Sequence, residues 1–166
     1  VDGGVAAAGE ASPGMLRIQY STQSTGGAYA PKNCGAVWIE SADGRYVATL
    51  EIRAALRRPA LVYLREHACE DQSGPDVMSA ATAANHERPH MLTWSGKDFG
   101  GVIVPDAQYK LFIESTETDK APGELEVFEF SKGRDLLMLQ PTLSAEGPVS
   151  ALTLIWRPSS GAVRVP

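Results

Sequence analysis

The sequence predicts a mainly β protein: an antiparallel immunoglobulin-like β-sandwich with a helix-bearing insertion. Three observations carry that prediction. Short runs of alternating apolar and polar residues recur along the 166-residue chain, with turn signals between them at regular spacing. Asp43-Gly44 lies between two apolar runs, the arrangement of a tight hairpin. One stretch, within residues 53–70, gives up period two for helical spacing.

Taken in order, residues 15–23 place Leu16, Ile18 and Tyr20 on one face and Arg17, Gln19 and Ser21 on the other, a half-buried strand. Thr25-Gly26-Gly27 breaks it. Residues 34–40 and 46–52 are the apolar runs around Asp43-Gly44. Leu61, Leu64 and Ala68 then recur at helical spacing and Pro59 suits a helix start, so a short helix is expected near residues 60–68. Gly74-Pro75-Asp76 is a turn. Residues 91–95 and 107–114 read as a second hairpin, spanning 90–115, with Ser95-Gly96, Gly100-Gly101 and Pro105-Asp106 supplying the turns. Residues 124–130 form a strand whose apolar phase slips at Val127-Phe128, the mark of a bulge. Residues 136–140 and 151–157 complete the set. Trp38, Trp94 and Tyr109 are expected between the two sheets.

Length and composition fit one domain, over 15–166. Its helical and loop excursion at about 53–89 is too long for an ordinary connection, and long loops on a rigid sandwich are where function tends to lie. Residues 1–14 are small, Gly- and Ala-rich and have nothing to bury; they read as a disordered tether or the tail of a leader already removed. A net charge of −5 speaks against nucleic acid, whose phosphates demand a basic face. No apolar run approaches the roughly 20 residues of a membrane span.

Candidate chemistry is sparse. Cys34 and Cys69 belong to no C-x-x-C pair, so they are two buried thiols or one disulfide; in a strand-rich chain whose first residues read as the tail of a leader, the disulfide is the expectation. His86 and His90 are four apart and His67 lies near Cys69, a set that could hold a metal on a helix; Pro89 breaks that phase, and surface histidines are the plainer reading. Arg53, Arg57, Arg58 and Arg65 crowd the excursion and read as a solvated face. No nucleophile elbow or Ser/His/Asp set has recognisable context. The segment from Asp76 to Thr82 is built of small residues and ends in a hydroxyl, and Ser79 within it could simply cap a helical turn through Ala84.

Two motifs look familiar together. One runs from Gly26-Gly27-Ala28-Tyr29-Ala30-Pro31-Lys32 into Ala36-Val37-Trp38-Ile39-Glu40 and Asp43-Gly44-Arg45. The other comprises Leu92-Thr93-Trp94, Gly96, Asp98, Gly101, Val104-Pro105-Asp106 and Tyr109. Both resemble bacterial predicted periplasmic proteins of domain-of-unknown-function family 2271, and the second is also similar to the sandwich domain of flagellar hook-capping proteins. The resemblance implies export to the periplasm or cell exterior, and genes encoded near flavin transferases and PepSY-type membrane redox proteins. It also implies a D-x-x-S-G-A-T segment, similar to the sequence on which flavin transferases attach FMN to the final Thr. Here Asp76, Ser79 and Thr82 match it, and Ala80 stands where the family has Gly.

The resemblance thus implies a covalent flavoprotein. Thr82 would be the acceptor on an exposed loop, with Asp76 and Ser79 in the recognition segment. Tyr29 would stack on the ring and Lys32 would meet the phosphate. Such a protein is an electron carrier or binding module rather than an enzyme by itself. The alternative is a cofactor-free periplasmic or cell-surface module.

Overall fold

The inward side chains of the first strand set the layout. In the computed structural model, which describes residues 9–67, 73–119 and 122–159, β1 (Gly14–Thr22) buries Leu16, Ile18, Tyr20 and Thr22 and turns the residues between them outward. The other strands are β2 (Cys34–Ser41), β3 (Tyr46–Arg53), β4 (Ser73–Ala80), β5 (His90–Trp94), β6 (Ala107–Thr116), β7 (Glu124–Lys132), β8 (Leu137–Leu139) and β9 (Val149–Pro158). A 3-10 helix (Ala55–Ala60) and α1 (Val62–His67) lie between β3 and β4. Two sheets result, ordered β5-β1-β9-β8 and β4-β3-β2-β6-β7. They pack face to face around one buried cluster, as the alternation predicts.

Every pairing is antiparallel except β3 with β4. The exception follows from the helical excursion, because a crossover of this length returns the chain running the same way. The Asp43-Gly44 turn forms as expected. Gly44 takes φ 85°, and the Ser41 N–H donates to the Arg45 carbonyl at 2.9 Å. The expected helix appears as α1, preceded by the 3-10 turns that contain Pro59.

Four expectations need correction. Trp38 is fully buried, but not between the sheets. Val37 and Ile39 face the inter-sheet layer, whereas Trp38 points outward into a second cluster with Cys34, Ala36, Leu61, Leu64 and Phe112, roofed by the helical excursion. A strand buried on both faces reads as a continuous apolar run, which is why its two faces could not be told apart. Second, residues 90–115 are no hairpin: β5 and β6 belong to opposite sheets. The turn residues instead close a small loop, with Gly96 and Gly101 at φ 73° and 81° and a bridge between Lys97 and Ile103, and the chain crosses the sandwich there. Third, β7 pairs with β6 without a register shift, so Val127 is an exposed residue and not a bulge. Fourth, residues 1–8 of the expected tether lie outside the described residues, but the rest of it is docked. Ser12 donates from its N–H and hydroxyl to Asp106 at 2.8 and 2.6 Å, and Gly14 opens β1.

The inter-sheet layer changes character along its length. At one end Trp94, Trp156, Tyr109 and Phe130 meet, with Trp94 5.6 Å from Tyr109 and 6.2 Å from Trp156 between ring centroids. Aliphatic residues, among them Ile18, Leu92, Leu154, Val37 and Ile113, fill the middle. At the other end Tyr20, Thr22, Glu51, Arg53, Ser115 and Glu117 are all buried.

Candidate functional site

The segment from Asp76 to Ala80 is the edge strand β4, not a loop or a helical turn, so Ser79 caps nothing. Ala80 pairs with Arg53 in extended backbone. That position does not call for the left-handed conformation that glycine alone adopts freely. Asp76 is committed internally: one carboxylate oxygen accepts the Ser95 N–H at 2.9 Å and the Ser95 hydroxyl at 2.6 Å, tying the edge strand to the opposite sheet. Ser79, Ala80 and Ala81 are exposed and line a groove of about 350 Å³ with Ile52 and Arg58.

Thr82 follows directly and is half-buried rather than on an exposed loop. Its neighbour Ala83 is bridged to Asn33 by two backbone hydrogen bonds of 3.0 Å. This brings Thr82 beside the start of β2, next to Cys34. Burial pushes the Cys34 thiol's pKa up, partly offset by the charge of Arg57. Cys34 is free and buried; Cys69, its expected disulfide partner, lies outside the described residues.

Tyr29 comes to the same end of the molecule. Its hydroxyl donates to Asp119 at 2.8 Å, and its N–H donates to the Glu117 carbonyl at 2.8 Å. The Arg57 guanidinium lies over its ring, 4.3 Å from the centroid. Lys32 is exposed on the adjoining turn. The structure therefore gathers Tyr29, Cys34, Arg57 and Thr82 from four segments of the chain. Sequence reasoning found Tyr29 and Thr82 and missed Arg57 and Asp119; the crowd of arginines was the available signal.

Behind this surface lies the polar end of the layer. Glu51 accepts the Tyr20 hydroxyl through one oxygen and His90 Nδ1 at 3.2 Å through the other, and His90 stacks on Tyr20 at 4.6 Å. Burial alone would raise the Glu51 pKa, but the His90 hydrogen bond, the Arg53 charge and the Tyr20 hydroxyl outweigh it and hold the carboxyl below its ordinary value. Burial beside that carboxylate pushes the Tyr20 phenol far up. Arg53 Nε lies 3.4 Å from Glu51, an ion-pair distance without hydrogen-bond geometry, and Nη2 has no hydrogen-bond partner; Nη1 donates to Asn33 Oδ1 at 2.9 Å. Gly35 makes room for this side chain, since a Cβ there would fall 2.3 Å from Nη2. Arg53 is thus a core residue, contrary to the solvated-face expectation.

The three histidines serve separate carboxylates. His67 Nδ1 donates to Glu40 at 2.6 Å, and Trp38 Nε1 donates to the same oxygen at 2.9 Å. His86 Nε2 meets Glu117 at 2.6 Å, while Nδ1 meets the Thr22 hydroxyl at 2.8 Å. Burial raises the Glu117 pKa, but the Gly27 N–H, His86 and Ser24 together bring it below the ordinary value. The order hydroxyl, imidazole, carboxylate is that of a nucleophile relay. However, Thr22 is only 3% exposed, and the arrangement fastens the loop after β4 to the sandwich instead. Among the described residues no three His, Cys, Asp or Glu side chains converge as metal ligands, and no helix is long and apolar enough to cross a membrane.

Comparison of the chain with protein-family models, curated proteins and solved structures finds no match.

Proposed function

We propose that this chain is an exported redox-accessory protein that carries FMN covalently on Thr82 and relays electrons with a membrane partner of PepSY type. The observation that carries the reading is the groove beside Thr82, which is lined by the small exposed residues Ser79, Ala80 and Ala81 and bears Arg58. The volume of that groove is within the range of small-ligand sites, and the arginines match a phosphate. Thr82 would hold the group, with Arg57 or Arg58 near its phosphate and Tyr29 near its ring. FMN supplies one- and two-electron transfer, and the sandwich holds and presents it.

Attachment would form a phosphoester between the Thr82 oxygen and the flavin phosphate. A flavin transferase breaks the diphosphate of its dinucleotide donor, nucleoside monophosphate leaves, and the hydroxyl proton goes to solvent through the enzyme's base. The test is co-expression with an exported flavin transferase, followed by intact mass and in-gel fluorescence after denaturation. Wild type should gain one FMN, Thr82→Ala none, and Ser79→Ala should label nearly as well as wild type. Unlabelled wild type with a transferase active on another acceptor, or a labelled Thr82→Ala, would overturn the reading. A cofactor-free module is the second reading, favoured by the hydrogen bonds that already engage Asp76 internally.

A further inference from the structure

Arg57 and Tyr29 lie outside the segment that matches the flavin-acceptor pattern, yet they meet beside it. The Tyr29 ring hydroxyl donates to Asp119 at 2.8 Å, and the residue's backbone N–H donates to the Glu117 carbonyl at 2.8 Å. Arg57 is anchored through its backbone, which donates to the Ala54 carbonyl at 2.6 Å, while its guanidinium rests on the ring. Arg57 adjoins Arg58, which lines the groove together with Ala81, the residue before Thr82. A half-exposed guanidinium on a phenol is held weakly, whereas a guanidinium on a phosphate makes charge-assisted and often bidentate hydrogen bonds. A phosphoester on Thr82 therefore outcompetes the ring for Arg57.

We propose that Arg57 and Tyr29 form a two-part flavin shelf: on loading, Arg57 moves from the Tyr29 ring to the phosphate, and the isoalloxazine takes the vacated face of the ring. This rests on the reading of Thr82 as the flavin acceptor and adds two recognition residues and their exchange. The phenol is a rigid, electron-rich platform, and offset stacking of a flat, electron-poor ring on it is favourable. Asp119 keeps the platform from swinging away.

The consequence is optical. An excited flavin in contact with a phenol or indole is quenched by electron transfer; a phenyl ring is too hard to oxidise to do so. The experiment uses flavin-loaded protein, with loading verified by mass, and compares emission when folded with emission in guanidinium. Wild type should brighten severalfold on unfolding. Tyr29→Phe should be bright while folded, and Tyr29→Trp should stay quenched. Arg57→Gln should brighten partly, with Arg57→Lys closer to wild type. Circular dichroism confirms that each variant folds. Equal emission from folded and unfolded wild type, or a Tyr29→Phe as dark as wild type, overturns the shelf. An unchanged Arg57→Gln overturns the exchange. Absence of loading, read by mass beforehand, overturns the Thr82 assignment itself.

Discussion

The two ends of the inter-sheet layer are built on opposite terms. At the aromatic end, Trp94, Trp156 and Tyr109 each bury a large ring and satisfy their one polar atom on a carbonyl: Lys97 at 2.7 Å, Gly133 at 2.7 Å and Pro105 at 2.6 Å. Its one buried cation, Lys132, is also paired, with Asp106 at 2.8 Å and the Val104 carbonyl at 2.9 Å. At the polar end, Glu51, Arg53 and Glu117 are buried with their charges, and Arg53 keeps two nitrogens without hydrogen bonds. Apolar burial stabilises in proportion to area, whereas buried charges largely offset their own desolvation. The aromatic end is the fold's anchor. The polar end, which underlies the Thr82 surface, fixes the loop through His86 and His90 at little net gain.

The largest expected effect lies at the anchor. Trp94→Ala should cost about 3–5 kcal/mol, the range for emptying a fully packed aromatic site. Urea unfolding monitored by circular dichroism measures it. A loss below about 1 kcal/mol, within what ordinary substitutions cost, would mean that this end is loosely packed and the contrast is false.

At the polar end, a single change should hurt and a paired one should not. Glu51→Ala strands Arg53 in the core and should cost on the order of 3 kcal/mol. Glu51→Leu combined with Arg53→Met removes both charges and should recover most of that loss. If the double variant is less stable than the single, the charge pair is a genuine source of stability.

Acid should weaken the polar end through two of its carboxylates, as it weakens the aromatic end through Asp106. Glu51 and Glu117 both have lowered pKa values, so the unfolded chain binds protons that the folded chain refuses. Their contribution is complete above the ordinary glutamate pKa of about 4.3 and is lost as pH falls through the folded values. Glu114 runs the other way. Burial raises its pKa although it accepts the N–H groups of Tyr63 and Leu64 at the start of α1, so its charge costs stability at neutral pH and that cost vanishes on acidification. Urea midpoints from pH 6 to 3 should fall for wild type, fall less for Glu51→Gln and Glu117→Gln, and fall more steeply for Glu114→Gln. Parallel curves for all four proteins would remove these carboxylates from the account.

The aromatic end and the aliphatic middle were legible in the sequence because alternation marks them, with Leu16 and Ile18 on one sheet and Tyr109, Leu111 and Ile113 on the other, and the turn residues bound each strand. The polar end was not. Glu51, Arg53 and Glu117 carry side chains that ordinarily face water; Glu117 continues the phase of Ile113, but a register shift between Thr49 and Glu51 breaks the phase of β3, so alternation could not place Glu51 and Arg53 inside. Which sheet a strand joins is equally hidden, since β5 and β6 send Trp94 and Tyr109 into the same core from opposite sides. The segment from Asp76 to Thr82 was visible as a motif, but its strand pairing with β3 and the bridge of Ala83 to Asn33 depend on partners far off in sequence. Arg57 carried no mark that distinguished it from its arginine neighbours.

The smallest effect gives the closest comparison, because the same atom can be removed at each end. Tyr109→Phe deletes a hydroxyl that donates to a neutral carbonyl at 2.6 Å. Such a bond contributes about 0.5–1.5 kcal/mol. Tyr20→Phe deletes a hydroxyl that donates to the buried Glu51 carboxylate. A hydrogen bond to a charged group is worth about 1.5–3 kcal/mol, and its loss leaves Glu51 with His90 and Arg53 only. Both variants keep the ring and its packing, so the difference isolates the polar partner. The Tyr20 variant should also shift the acid limb toward higher pH, since the Glu51 carboxyl loses one of the interactions that lower its pKa. The Tyr109 variant should leave that limb in place. Equal losses with superimposable acid limbs would mean that Glu51 is solvated well enough to do without Tyr20, and that the two ends differ in composition but not in energetic character.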